Sequence, residues 1–268
     1  MSKAPLISAV LLIALGVVPA TAGPRTISVP APEGDAPHAA PTALDEYRGY
    51  RFNLSENAGR KDDGAIADTL RRQLDVVESA GFSPRVLQFF HSVPIVASEM
   101  ACLEEGAASA CYGNLAPARD GLSVTSWDEA KHQWTNPDTV ALAADTGVGV
   151  IMLHPSMLRY EKDPVLLHEF LHAYHAKLMP NGYDNLGIAA YYAEAKRTGS
   201  FGKDAYALKN RQEFFAVTAS IFLAGNDSVH EPNTRAKLKE QMPEYYKYLV
   251  GVFGFDPETP NVASLASN

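Results

Sequence analysis

Between residues 65 and 80 apolar side chains recur at Ile66, Leu70, Leu74 and Val77 with charges between them, the spacing of an amphipathic helix that Gly81 ends. Val86 to Ala97 is dense in Val, Ile, Leu and Phe and is split by Pro94, which predicts a strand with a kinked continuation. The segment holding Cys102 and Cys111 reads as loop, Gly121 to Trp127 alternates like a short strand, and Val148 to Leu153, bounded by Gly147 and Pro155, predicts another. A helix follows. Asp163 can cap it, Pro164 suits its first position, and Pro180, Asn181 and Gly182 stop it near Leu178. Leu186 to Lys196, Arg211 to Leu223 and Thr234 to Phe253 also read as helical, the last interrupted at Pro243. The pattern is that of one α+β domain over residues 44–255, with a small mixed sheet followed by a mainly helical C-terminal half.

The ends of the chain read differently. Lys3, an uncharged apolar run from Ala4 to Pro19 and then Ala20-Thr21-Ala22 follow the order of a secretory signal peptide, so residues 1–22 are expected to be cleaved and the mature chain to be secreted or periplasmic. The run is shorter than the roughly 20 apolar residues a membrane span requires, and no later window reaches that length, so no stable membrane insertion is expected after cleavage. Residues 23–43, rich in Pro and Ala, read as a flexible leader, for which a propeptide would look the same, and 256–268 as a loose turn-rich tail.

The formal net charge is −8, and loss of the first 22 residues removes only one charge, Lys3, so the remainder is more acidic still. That excludes non-specific attraction to nucleic acid or anionic membrane. Cys102 and Cys111 are the only cysteines. In an exported chain they are expected to form a disulfide rather than to bind metal.

Candidate chemistry lies in His168-Glu169-Phe170-Leu171-His172, an HExxH pattern inside the helix that opens near Asp163. Residues four apart share a helix face, so His168 and His172 can converge on one point with Glu169 beside it. The flanks Val165, Leu166, Leu167, Phe170 and Leu171 bury such a helix, and two histidines with a glutamate there are costly without a partner. Zinc accepts neutral imidazole and favours tetrahedral sites, with a third protein ligand and an open fourth position when it is catalytic. The extended pattern with a third histidine is absent, because Leu178 stands at that position and cannot bind metal. Two downstream glutamates on helical segments can complete the site, Glu194 in AYYAEAK and Glu213 in NRQEFFA. Glu194 lacks the aspartate that thermolysin-like enzymes place four residues later, where this chain has Thr198. His154 and His175 are read as structural.

HEFLHAYH followed by Tyr206, Asn210 and Glu213-Phe214-Phe215-Ala216 resembles the catalytic domain of anthrax lethal factor and its related metallopeptidases. That family pairs HExxH with an N-x-x-E-F-F-A helix and carries a tyrosine seven residues before the glutamate, the place Tyr206 takes here. The resemblance runs from about His154 to Leu223 and does not extend through the N-terminal half. It implies a zincin-like fold of the gluzincin type with an edge strand packed on the HExxH helix, and one zinc per chain. His168, His172 and Glu213 would be the ligands, Glu169 the catalytic base, Tyr206 a residue over the metal and Asn210 either a support for the ligand or a helix cap. Val217 departs from the family, which often continues EFFAE. The expected activity is that of a secreted zinc endopeptidase acting on a peptide or protein. A catalytically silent zinc-stabilised binding module and a zinc amidase acting on a cell-wall peptide are the alternatives. The strand ending at Leu153 precedes the metal helix, where an edge strand can pair with an extended substrate.

Overall fold

In the computed structural model, the residues described are 44–54, 59, 61–97, 102, 110–113, 126–128, 133–135, 147–155, 158, 163–225 and 229–259. The expected signal peptide (1–22) and leader (23–43), the first part of the strand predicted at 121–127, and the last nine residues of the tail lie outside them. Among the described residues, no helix is long and apolar enough to cross a membrane.

Strands β1 (Asp45–Tyr47) and β2 (Tyr50–Asn53) form a hairpin. Its turn residues Arg48 and Gly49 both have positive φ, 51° and 86°, as a tight hairpin requires. At Gly49 a Cβ would also lie 2.9 Å from the His91 ring, so glycine is fixed there by space as well as by dihedral. The amphipathic stretch forms helix α1 (Asp63–Ser79) and buries Ile66, Leu70, Leu74 and Val77 as its spacing predicts.

The next segment corrects the sequence reading. Most of the stretch read as strand from Val86 is helix α2 (Pro84–Ser92), and only Ile95–Ala97, after Pro94, is strand (β3). Ser83 caps α2 by accepting from the Val86 N–H, Pro84 sits in its first turn, and Phe90 packs on Phe82 and Phe170 with ring centroids 5.0 and 4.8 Å apart. Cap and aromatic packing outweigh the strand preference of the intervening residues.

β4 (Ala110–Gly113) emerges from the segment read as loop. β5 (Ser126–Asp128) and β6 (Gln133–Thr135) form a separate two-stranded ribbon. β7 (Val150–Leu153) completes the main sheet, whose order is β1-β2-β3-β7-β4. β2, β3 and β7 run parallel, with Ile95 opposite Ile151, while β1 and β4 close the sides antiparallel. All four residues of β7 are buried, as an interior parallel strand demands. The strand leading to the HExxH helix is therefore interior, and among the described residues the edge on that side is β4.

Five helices follow: α3 (Val165–Lys177), α4 (Leu186–Thr198), α5 (Arg211–Ala224), α6 (Arg235–Gln241) and α7 (Pro243–Phe253). The break at Met242-Pro243 divides the long helical stretch in two. The tail is not loose at its start, since Asp256 accepts from the Tyr246 hydroxyl at 2.7 Å and from the Glu258 N–H at 3.0 Å.

The start of α3 departs from expectation. Asp163 does not cap it through its side chain; Pro164 stands at the cap position instead. Gln73 on α1, only 3% exposed, reaches across, donating to the Asp163 carbonyl at 2.7 Å and accepting from the Leu166 N–H at 3.3 Å. A side chain from a distant helix thus satisfies one of the orphan donors of the helix start. Gln73→Leu keeps the size but strands these groups, and is expected to lower the unfolding free energy by about 1–3 kcal/mol with the urea m-value unchanged. An unaltered denaturation midpoint would remove Gln73 from this role.

Candidate metal centre

Helix α3 carries His168 and His172 one turn apart, with their Nε2 atoms 3.1 Å from each other. Glu213 comes from the first turn of α5, and its Oε2 lies 3.2 Å from the His168 Nε2 and 3.5 Å from the His172 Nε2. These three form the one His/Cys/Asp/Glu group among the described residues with metal-ligand geometry. Ligand atoms at 2.0–2.1 Å from a tetrahedral zinc stand about 3.3–3.4 Å apart, so the observed triangle fits the ion. Glu213 Oε2 is buried and outside hydrogen-bond geometry with either ring, as an acceptor is when it points into a space that the rings also face.

The sequence builds this convergence in two steps. On α3, Val165, Leu166, Leu167, Phe170, Leu171 and Ala173 bury the helix and leave the histidine face toward α5. On α5, Asn210 sits at the cap with extended backbone and accepts from the Glu213 N–H at 2.8 Å. Asn-x-x-Glu has the spacing of a capping box, in which the acid would turn back to the cap; here Oε2 turns to the histidines instead. Asn210 thus caps the helix and, by the same bond, holds the backbone of Glu213. Burial by itself raises the Glu213 carboxyl, but the His168 and His172 imidazoles outweigh it and hold the group well below the usual carboxylate range.

Glu194 does not complete the site: it is exposed on α4 and outside the group. Glu169 follows His168 on α3 and is 4% exposed. Tyr206 opens a short 3-10 turn (Tyr206–Leu208), half-buried, with its ring stacked on His230 at 4.7 Å. Cys102 and Cys111 have their sulfurs at disulfide distance with Cα atoms 5.9 Å apart, tying Cys102 to edge strand β4. His154, just past β7, and His175 are both outside the metal group.

Two residues at the site were not singled out from the sequence. Gln73 belongs to an α1 face that reads as ordinary amphipathic helix, so nothing local marks it. His230 belongs to no motif. Burial holds its imidazole below the usual histidine range, which Asp163 and Glu213 offset only in part.

No family model matches the chain, and no curated protein does. A similar solved structure is that of the Pro-Pro endopeptidase PPEP-2 from Paenibacillus alvei, with 16% identity, a TM-score of 0.41, and 73% of this chain and 95% of that chain covered. A likeness at that score does not say which reaction this chain performs.

His175, one turn beyond His172, is fully buried between Tyr183 and Phe215, with neither ring nitrogen hydrogen-bonded. Burial first, then the charges of His172 and Arg211, lower its pKa from 6.5 to about 4. As pH falls the unfolded chain takes up this proton before the folded one does. The stability tied to His175 is therefore complete above pH 6.5, declines toward pH 4 and levels off below that. The loss amounts to about 3 kcal/mol across the window. Urea melts of the metal-free chain at several pH values should show this slope, and His175→Leu should remove that share of it. An identical slope in the variant contradicts the assignment.

Proposed function

We propose that this chain is an exported zinc-dependent endopeptidase in which His168, His172 and Glu213 hold the metal. The observation that carries the reading is the convergence of two imidazole nitrogens and one carboxylate oxygen, from two helices, in a largely shielded position beside a buried Glu169. When bound, zinc supplies Lewis acidity, acidifying water and polarising a carbonyl. Glu169 lies next to a ligand without being one, the position of a general base. It takes a proton from the attacking water and returns it to the leaving amine. Tyr206, seven residues before Glu213, donates its phenol proton in a hydrogen bond to the oxyanion that develops on the substrate carbonyl.

The substrate class follows from the sheet. β4 packs against α3, and among the described residues it forms the edge beside the metal helix. An extended peptide can add to such an edge through backbone hydrogen bonds, a mode that selects peptides as a class. The cysteine pair on that edge suits an oxidising compartment and supports export.

Zinc analysis combined with peptide hydrolysis tests the reading. The purified chain should hold one zinc, Glu169→Gln should keep the zinc while losing hydrolysis by about 10²–10⁴-fold, and Glu213→Ala should lose the metal itself. Unchanged hydrolysis in Glu169→Gln refutes the base, and undiminished zinc in Glu213→Ala refutes the ligand set.

A further inference from the structure

Residues 229–235 form a short strap tied to the chain just before α3, to the segment before the Tyr206 turn and to the end of α5. At its start the Val229 N–H meets the Asp163 carboxylate at 3.4 Å, next to the first turn of α3. The Glu231 carboxylate accepts from the Gly202 N–H at 2.6 Å, in the segment leading to the Tyr206 turn. Arg235 donates to the Phe222 and Leu223 carbonyls at 2.6 and 2.9 Å, closing the end of α5. A Cβ at Gly202 would come within 3.1 Å of the Glu231 carboxylate, and one at Gly225 within 2.6 Å of the Arg235 guanidinium. The strap is thus seated closely on the C-terminal side of His230, at Glu231 and Arg235.

Between these anchors His230 places its imidazole flat against Tyr206, with centroids 4.7 Å apart and planes inclined by 25°. Its carbonyl accepts from the Asn233 N–H at 2.8 Å, which fixes the local backbone. The Tyr206 turn is held from a further direction, since the Tyr192 hydroxyl donates to the Leu208 carbonyl at 3.0 Å. Lys209 Nζ lies 5.3 Å from the Tyr206 ring centroid. The Tyr206 turn packs against α5, the helix whose first turn carries Glu213, so the stacked pair belongs to the same end of the structure as that ligand.

We propose that His230 is a positioning residue: stacked on Tyr206 and anchored by the strap, it fixes the tyrosine ring beside His168, His172 and Glu213 so that the phenol is aimed before substrate arrives. This role rests on the peptidase reading above. A phenol on a half-buried single-turn element has freedom about its side-chain torsions, and a flat neighbour removes it. Pre-aligned donors are worth more to a transition state than donors that must be ordered during the reaction.

A double-mutant cycle on the full-length zinc-loaded chain, with NMR of the metal-free chain, tests this. Tyr206→Phe should lower kcat by about 10²-fold and His230→Ala by roughly tenfold, both with KM and zinc content unchanged. Adding His230→Ala to Tyr206→Phe should cost nothing further, and His230→Phe, which restores a flat ring, should recover most of kcat. In the metal-free chain the His230 ring protons should lie upfield of their positions in Tyr206→Leu, a readout independent of turnover. The positioning role is overturned if His230→Ala leaves kcat unchanged, if it costs the same factor in the Tyr206→Phe background, if His230→Phe fails to rescue, or if the ring-proton shift is missing. Absence of turnover by the zinc-loaded wild-type chain overturns the peptidase reading, and the positioning role with it. Turnover indifferent to His230 overturns the positioning role alone.

Discussion

A carboxylate buried against two imidazoles loses hydration that their mutual contacts replace only in part. Glu213, His168 and His172 are held in that state, with side-chain exposures of 12%, 16% and 10%. They cannot relax away from it. α5 is buried on every side from Phe214 to Leu223, so it cannot rotate Glu213 toward water. α3 is fixed in the same way by its apolar flanks, by Phe170 against Tyr50 and Phe90, and by the Gln73 amide at its start. The fold maintains a cluster of lone pairs that could hold a divalent cation.

With a metal in this group, binding and folding would be coupled. Ligands held together before the ion arrives cost stability in the metal-free chain and return it on loading, because a cation that binds only the folded form shifts the folding equilibrium. The supports are spread over the molecule: Gln73 comes from α1, Asn210 from the cap of α5, and Glu231 and Arg235 from the strap before and at the start of α6. Gln73 and Asn210 fix backbone next to the candidate ligands, whereas Glu231 and Arg235 anchor the strap before the Tyr206 turn and at the far end of α5. A site that relies on rigid helices more than on loops keeps its donor atoms within the tolerance that zinc sets.

Much of this was legible in the sequence because the signals are local. HExxH needs only helical periodicity to bring its histidines together, and the stop at Pro180 to Gly182 and the helices beginning at Leu186 and Arg211 follow from caps and spacing. Glu213 was singled out by a resemblance, and the structure places it rather than Glu194 against the histidines. Most of what the sequence does not show depends on distant partners. α2 is the exception: its density of Val, Leu and Phe suits a strand, but the signal that decides for a helix is local, Ser83 at the cap and Pro84 in the first turn. β4 was taken for loop because its pairing with β7 spans a long sequence separation. β1 and β2 carry no strand signal of their own, and the Leu166 N–H at the start of α3, where the sequence offers Asp163 as cap, is met instead by Gln73, 93 residues upstream.

The central claim is that one zinc is held by His168, His172 and Glu213. The most direct measurement is an anomalous-diffraction crystal structure of the zinc-loaded chain. The account predicts a single ion with both Nε2 atoms and one Glu213 oxygen at roughly 2.0–2.2 Å. An ion ligated by Glu194 in place of Glu213, or no ion between α3 and α5 in a chain that contains zinc, would contradict it.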